Sequence, residues 1–433
     1  MADKKKIVVL GAGFGGLKAA WNLSAGIKKM KLRDSYEIFL IDRNGYHTYY
    51  PTLYEIATTS KNLANQIDLK AIVTVPLEEI FSDSHVTVIR NRIKELDLIE
   101  GDIHAENGEK YGFDYLVLAL GTEVNHFDIP GLAENSLSLK SFMDAIQIRD
   151  SVWNLIEGAP KDRQFNIIIG GGGSTGVELA GELKSWLCQL SDEKTTLCNV
   201  NLRIIQATQT VLPGFHPRII DKVTRRLNEI GVDIVAGEGI VKVEKEKIHL
   251  TGGRIVPYDL LIWTGGVKAS SLMDTLPVKK ENRGRTEVSE TMFCLPQTPD
   301  LELYGRIYAI GDAVCVYDPS TGKPIPQIAE AAIEQGKIAA HNILEDIRFA
   351  EHLTDSPAHR TFTPKSEYPY VIPVGAKYAV AKIGPIIICG FPGWILKGLI
   401  ELYYLILNVL PVRKALAMWL HGLKIFIQND RLG

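Results

Sequence analysis

Apolar residues in this chain gather in short runs rich in β-branched side chains, and several of these runs lead into stretches with the spacing of a helix. That is the pattern of parallel strands and crossover helices in an α/β fold. Ile7-Val8-Val9-Leu10, Tyr36-Glu37-Ile38-Phe39-Leu40-Ile41, Asn166-Ile167-Ile168-Ile169 and Asn201-Leu202-Arg203-Ile204-Ile205 read as strands. The first and third run straight into glycines and then into a helix-like segment. Phe113 to Thr122 and Asp259 to Gly266 are apolar strands that close on glycine, each after a polar hairpin-like region, so the chain carries a similar unit twice. Pro392 to Leu410 is almost wholly apolar, and its polar members Lys397, Glu401 and Asn408 share one narrow helical stripe. Pro411 interrupts, and Val412 to Gln428 forms a second amphipathic segment with Arg413, Lys414, His421, Lys424 and Gln428 on its polar face.

The two glycine turns read as phosphate cradles. In Gly11-Ala12-Gly13-Phe14-Gly15-Gly16 the first glycine of G-x-G-x-x-G makes a tight turn, the second lets the backbone approach a pyrophosphate, and the third packs helix on strand. The helix N-terminus then presents free N–H groups and partial positive charge to the phosphates. Asp42, at the end of the next strand, can accept hydrogen bonds from an adenosine ribose, which completes one βαβ dinucleotide fingerprint. The second copy falls on Gly171, Gly173 and Gly176, but the residue closing its next strand is the neutral Gln206, with Thr208 and Gln209 after it. A carboxylate there would repel a 2′-phosphate, so NADPH is expected to be at least tolerated; Gln206 bonded to the ribose of NADH is the plainer alternative. Glu178, two residues past the last glycine, is either a charge at the positive end of a helix or a group beside the nicotinamide.

Composition narrows the class. At 433 residues the chain suits two or three domains, and 46% hydrophobic residues supply their cores. A net charge of -3 gives no field that would draw nucleic acid, so no nucleic-acid partner is expected. The five cysteines (Cys188, Cys198, Cys294, Cys315, Cys389) are spread out with no Cys-x-x-Cys pair, as in a reducing compartment. Met1-Ala-Asp-Lys-Lys-Lys leads directly into the first strand without a secretory h-region, and a cytoplasmic face is expected.

Leu303 to Ile310 is a further strand-like run ending in Gly311-Asp312, where an Asp can accept hydrogen bonds from the ribityl chain of a flavin. Two dinucleotide folds, two strand-to-glycine connectors and this late Ile-Gly-Asp resemble the two-dinucleotide-binding-domain flavoproteins of the glutathione-reductase class. The resemblance implies two Rossmann-like domains, the NAD(P) domain inserted in the FAD domain, followed by C-terminal amphipathic membrane-anchoring helices. The expected boundaries are 1–125 and 290–365 for FAD, 126–289 for NAD(P)H, and 366–433 for membrane association and dimerisation. Disulfide reductases of this class need a cysteine pair just after the first βαβ unit, and Arg43 to Ser60 contains none. A dithiol mechanism is disfavoured, while Cys315 beside Asp312 keeps a sulfide:quinone reductase open.

Several motifs in order resemble the type II NAD(P)H:quinone oxidoreductases, single-subunit respiratory enzymes that pump no protons. They are Tyr46-His47-Thr48-Tyr49-Tyr50-Pro51-Thr52-Leu53-Tyr54-Glu55, Thr175-Gly176-Val177-Glu178-Leu179-Ala180-Gly181-Glu182-Leu183, Thr210-Val211-Leu212-Pro213-Gly214-Phe215 and Trp263-Thr264-Gly265-Gly266-Val267. The resemblance implies FAD held by Gly11, Gly13, Phe14, Gly15, Gly16, Asp42, Arg43, Gly121, Thr122, Asp312 and Ala329. It implies NADH or NADPH at Gly171, Gly173, Thr175, Gly176, Glu178, Gln206, Gly265 and Gly266, and no metal. The implied acceptor is a quinone of the menaquinone, ubiquinone or plastoquinone type, reached by a homodimer held as a peripheral (monotopic) protein on the cytoplasmic membrane face. A soluble NAD(P)H:acceptor reductase of the same fold, or a flavin-binding signalling protein, is the alternative.

One departure stands out. The family's quinone-site signature Ala-Gln-x-Ala-x-Gln reads here Ala329-Glu330-Ala331-Ala332-Ile333-Glu334. Glu330 and Glu334 are one helical turn apart, so in a flavin pocket desolvation would raise at least one pKa, and a neutral carboxyl there could hand a proton to reduced quinone. A solvated pair at the helix surface is the other reading. Glu178, Glu330 and Glu334 are thus the catalytic candidates. The tail is expected to lie in the membrane interface or a dimer contact, and removing residues from Gly390 onward is expected to leave a soluble protein with its flavin.

Overall fold

A computed structural model describes residues 4–157, 163–192, 200–365 and 367–429. The first three residues and Cys198 lie outside the described residues. By compactness the chain divides into two units. The first comprises Met1–His47, Val75–Glu123 and Val267–Ser366; the second comprises Thr48–Thr74, Val124–Gly266 and Glu367–Gly433. Residues 267–289, expected with the nicotinamide half, group with the first unit, and both 48–74 and the tail group with the second.

The first unit holds a five-stranded parallel sheet in the order Arg306–Ala309, Tyr115–Leu118, Lys5–Leu10, Tyr36–Asp42, Val86–Arg90. Its central strands are continuous apolar runs because both faces are covered, and Ile7 to Leu10 are fully buried. The helices Phe14–Met30 and Ala329–Ala350 run against each other at short range. Glycine permits this: a Cβ on Gly26 would lie 2.2 Å from the Leu344 side chain, and one on Gly336 would lie 2.4 Å from the Gly15 carbonyl oxygen.

The second unit repeats the scheme with Leu137–Ser138, Leu260–Trp263, Phe165–Gly170, Val200–Gln206 and Val232–Ala236, again all parallel. In each sheet the strand leading into a glycine turn is central, flanked by the connector strand and by the strand that ends in Asp42 or Gln206. The expected α/β class and repeated unit are therefore what the chain forms.

The tail forms two helices, Phe391–Asn408 and Val412–Asn429, with the break at Pro411. Asn429 ties the end down: its side chain accepts from the Ser60 N–H at 2.8 Å and donates to the Thr58 carbonyl at 2.9 Å. The orientation of the first helix departs from expectation. Its polar stripe turns into the unit, where Lys397 and Glu401 are buried, while Phe391, Ile395, Leu399, Tyr403 and Leu407 are exposed. No helix among the described residues is long and apolar enough to cross a membrane.

Candidate nucleotide sites and a buried charge cluster

The two glycine turns are built on the same plan. In the first, Gly11 has φ 102°, and a Cβ there would stand 2.3 Å from the Ala119 carbonyl oxygen; on Gly16 it would stand 1.9 Å from the Gly11 oxygen. In the second, Gly171 has φ 107° with Gly265 Cα at 2.4 Å from its Cβ position, and Gly176 meets the Gly171 oxygen at 2.0 Å. The middle glycines, Gly13 and Gly173, have nothing within 4 Å of the Cβ position. Crowding on the strand side and open space on the other is the shape that admits a diphosphate to the backbone.

Each turn is also held by the side chain that closes the next strand. Asp42 Oδ2 accepts from the Ala12 N–H at 2.7 Å and Oδ1 from the Asn44 N–H at 2.6 Å. Burial pushes the Asp42 carboxyl up, and the two backbone bonds pull the other way. Gln206 Oε1 accepts from the Gly172 N–H at 2.6 Å, and its Nε2 donates to Thr208 Oγ1, also at 2.6 Å. Gln206 thus stands where Asp42 stands, without the charge. We therefore expect wild-type kcat/KM for NADH to exceed that for NADPH by less than about a hundredfold, nearly 3 kcal/mol. Gln206→Glu should cut the NADPH value at least about tenfold more than the NADH value, since only NADPH brings a 2′-phosphate to the new carboxylate. A larger wild-type preference for NADH would refute the tolerance.

The remaining expected cofactor residues follow the same sheets. Gly121 and Thr122 come just after the Tyr115–Leu118 strand, and Asp312 just after Arg306–Ala309, at the carboxyl ends of parallel strands where open α/β sheets bind ligands. Ala329 opens its helix, Thr175 lies in the first turn of Ser174–Asp192, and Arg43 is exposed. Phe14 meets His47 edge-on with ring centroids 5.5 Å apart. Gly265 abuts Gly171, and a Cβ on Gly266 would touch the Phe127 ring at 2.8 Å. Sequence reasoning missed Gln335, buried, whose Oε1 accepts from the Gly311 N–H at 2.7 Å and so fixes the turn that carries Asp312.

A second feature was not legible beforehand. Inside the second unit, Lys397 Nζ lies 2.5 Å from Glu55 and 3.5 Å from Glu401, with all three side chains no more than 12% exposed. Glu182 is buried nearby, and Glu178 lies within electrostatic reach of Lys397 and Glu55. Burial pushes the Glu178 carboxyl up to about 8, with Lys397 opposing and Glu55 adding to the rise. Glu401 is also pushed up, mainly by burial. Lys397 is held charged, because the neighbouring carboxylates outweigh its burial. Tyr49 stacks on Tyr404 at 5.2 Å beside this group, and the Tyr54 hydroxyl is buried without a hydrogen-bond partner among the described residues. A small cavity of about 70 Å³ reaches the cluster between Trp394, Leu399, Trp419 and Phe426. An i, i+4 Lys-Glu pair in an otherwise apolar helix was the available signal.

Glu330 and Glu334 both lie on the Ala329–Ala350 helix. They are 42% and 52% exposed; Glu330 is paired with Lys365, and Glu334 with Lys337 at 3.3 Å. Among the described residues no two cysteines form a disulfide, and burial pushes the Cys315 thiol up, away from the reactive thiolate.

Comparison with known proteins agrees with this geometry. A curated Type II NADH:quinone oxidoreductase of Staphylococcus aureus (strain NCTC 8325 / PS 47) is 28% identical over 356 residues, covering 79% of this chain and 82% of the relative. The solved structure of NDH2 from Plasmodium falciparum in complex with NADH superposes with a TM-score of 0.82 at 17% identity over 100% of both chains. That of the sulfide:quinone oxidoreductase from the hyperthermophilic bacterium Aquifex aeolicus gives 0.73 at 20% identity, over 93% of this chain and 90% of the other. At these identities the two structures establish the fold. The family described as Pyridine nucleotide-disulphide oxidoreductase matches residues 5–336, a span that begins at the first sheet strand and takes in both glycine turns. The chain belongs to the pyridine nucleotide-disulphide oxidoreductase family.

Proposed function

We propose that this chain is an FAD-dependent oxidoreductase that takes a hydride from NADH or NADPH and passes two electrons to a membrane quinone without pumping protons. The observation that carries the reading is the pair of like-built turns, each crowded where a side chain would stand and open where a diphosphate would lie. They fit FAD at Gly11, Gly13, Phe14, Gly15, Gly16 and Asp42, with Arg43, Gly121, Thr122, Asp312 and Ala329 along the same sheet edge. They fit the nicotinamide cofactor at Gly171, Gly173, Thr175, Gly176 and Gln206, with Gly265 and Gly266. When bound, the flavin supplies the two-electron chemistry.

The chain's own residues supply position and protons. The Phe14–Met30 and Ser174–Asp192 helices begin at the two turns and aim their free N–H groups at phosphate. Reduction of a quinone consumes two protons, and Glu178, raised to about 8, still carries one at neutral pH. Lys397, fixed between Glu55 and Glu401, limits that rise and keeps the carboxyl able to titrate near working pH. This reading gives the proton-transfer role to Glu178. The curated relatives' names support quinone as acceptor.

We further propose that the exposed row Phe391, Ile395, Leu399, Tyr403, Leu407, Leu416 and Leu420 rests in a bilayer interface, with Arg413, Lys414 and Lys424 exposed beside it for anionic headgroups. A second copy of the chain covers part of this surface in a homodimer, and the cytoplasmic face keeps the cysteines reduced. Leu399→Glu with Leu407→Glu should weaken binding to anionic liposomes more than about tenfold, since each glutamate replaces apolar burial with a charge. Unchanged sedimentation with liposomes would refute the bilayer contact.

Stopped-flow spectroscopy tests the activity itself. Anaerobic NADH should bleach the flavin absorbance within the turnover time, and a short-chain quinone should restore it. Bleaching without recovery would reject quinone as acceptor, and absence of bleaching would reject the reading whole.

A further inference from the structure

We propose that His47 is a positioning residue for the first glycine turn: with Asp42 it holds Ala12 from both sides, so that the N–H groups of the turn already point outward when the diphosphate arrives. This rests on the assignment of that turn to FAD. His47 is buried, with Nδ1 2.8 Å from the Ala12 carbonyl oxygen, while the Ala12 N–H donates to Asp42 at 2.7 Å. A carbonyl oxygen can only accept, so Nδ1 carries the hydrogen. Burial depresses the ring's pKa to about 4, which leaves it uncharged at neutral pH in this one tautomer. The Phe14 ring, set edge-on at an interplanar angle of 85°, restricts the imidazole from the side of the helix start.

The second turn supplies an internal control. Gly172 occupies the position of Ala12, and its N–H donates to Gln206 while its carbonyl accepts from the Leu212 N–H at 2.7 Å. Leu212 adopts φ 51°, a conformation uncommon for a non-glycine residue. Both turns are therefore gripped at the same N–H and the same carbonyl, by different groups. An unrestrained turn would have to be ordered by the ligand, and that ordering would subtract from affinity. In the second turn the carbonyl donor is backbone and survives any side-chain change. In the first it is a side chain, so one substitution removes it.

His47→Leu keeps an apolar filling and removes the donor, whereas His47→Asn returns an amide donor on the same Cβ. Release of flavin from each purified holoprotein, followed by the fluorescence of free flavin, is the readout, with NADH binding measured by tryptophan fluorescence as the reference for the second turn. The leucine variant should release flavin at least about tenfold faster than wild type, and the asparagine variant within about threefold of wild type, the range set by one hydrogen bond. NADH affinity should be unchanged in both. Flavin retention by the leucine variant at the wild-type rate overturns the proposal, and so does equal loss from both variants, which would mean lost packing in place of a lost donor. If the leucine variant does not fold, the asparagine variant decides: near-wild-type release supports the grip, and rapid release overturns it. A wild-type protein that takes up no flavin refutes the assignment of the turn instead, an outcome separable from these.

Discussion

Replacing Lys397 by methionine is expected to lower the unfolding free energy by about 3 to 5 kcal/mol, the cost of breaking a buried ion pair from one side. Methionine keeps an unbranched stem one atom shorter, so packing changes little. What disappears is the cation set 2.5 Å from Glu55 and 3.5 Å from Glu401, which also restrains Glu178. The pH dependence separates charge from packing. Glu178 titrates at about 8 in the folded chain against an ordinary 4.5. Between those values the folded state binds more protons than the unfolded state, so this group makes stability fall as pH rises from about 4.5 to 8. Lys397 works in the same sense but in a higher window: its pKa is raised on folding, so its contribution is complete below the unfolded lysine value and is lost as pH climbs through the folded one. Over pH 5 to 8 the lysine stays charged and the carboxyls decide. Without the cation they rise further, so urea titrations should show a larger deficit at pH 8 than at pH 5. An equal deficit at both would assign the loss to shape alone.

Valine at Gly16 and valine at Gly176 should split the two half-reactions. Gly16→Val is expected to give a colourless chain, with flavin occupancy below about a tenth of wild type, because overpacking against backbone costs about 1 to 3 kcal/mol or more and moves the atoms that face the ligand. The obstruction is the Gly11 carbonyl, 1.9 Å from the new Cβ, which cannot swing aside as a side-chain tip could. Gly176→Val meets the Gly171 carbonyl at 2.0 Å in the same way. That variant should stay yellow, fail to bleach with NADH, and still reoxidise with quinone after reduction by dithionite. Absorbance spectra and stopped-flow traces of the two variants check the pair. A yellow Gly16→Val protein would detach the flavin from the first turn, and normal bleaching of Gly176→Val would detach the nicotinamide from the second.

The features legible in the sequence are those encoded within a few tens of residues. Strand, glycine turn, helix and the residue closing the next strand are one local unit, so Gly11 to Asp42 and Gly171 to Gln206 could be aligned before any coordinates, and their contacts match position by position. The Pro411 break and the tail helices were readable for the same reason. Long-range placement was not. Glu55, Glu178, Lys397 and Glu401 are scattered over the chain, and nothing local says that they meet. Helical periodicity correctly put Lys397 and Glu401 on one stripe but does not say which way a stripe faces, and here it faces in. The same limit applies to Glu330 and Glu334: their shared face is local, whereas their exposure and their lysine partners depend on where Lys337 and Lys365 fall.

The inward stripe also bears on truncation. Cutting from Gly390 would remove Lys397 and leave Glu55, Glu178 and Glu182 with no buried cation, so the product should be unstable and not merely soluble. The same arrangement limits how attachment can be controlled. A greasy appendage joined by a tether can be shed, folded back or masked while the catalytic body drifts free. Here the ammonium group on the reverse of the exposed apolar helix is part of the unit's own interior, so lifting the helix away would strip that interior of its positive charge. If the proposed bilayer contact holds, attachment would be permanent, and any control over where the chain sits would have to act on the lipid or on the whole folded chain.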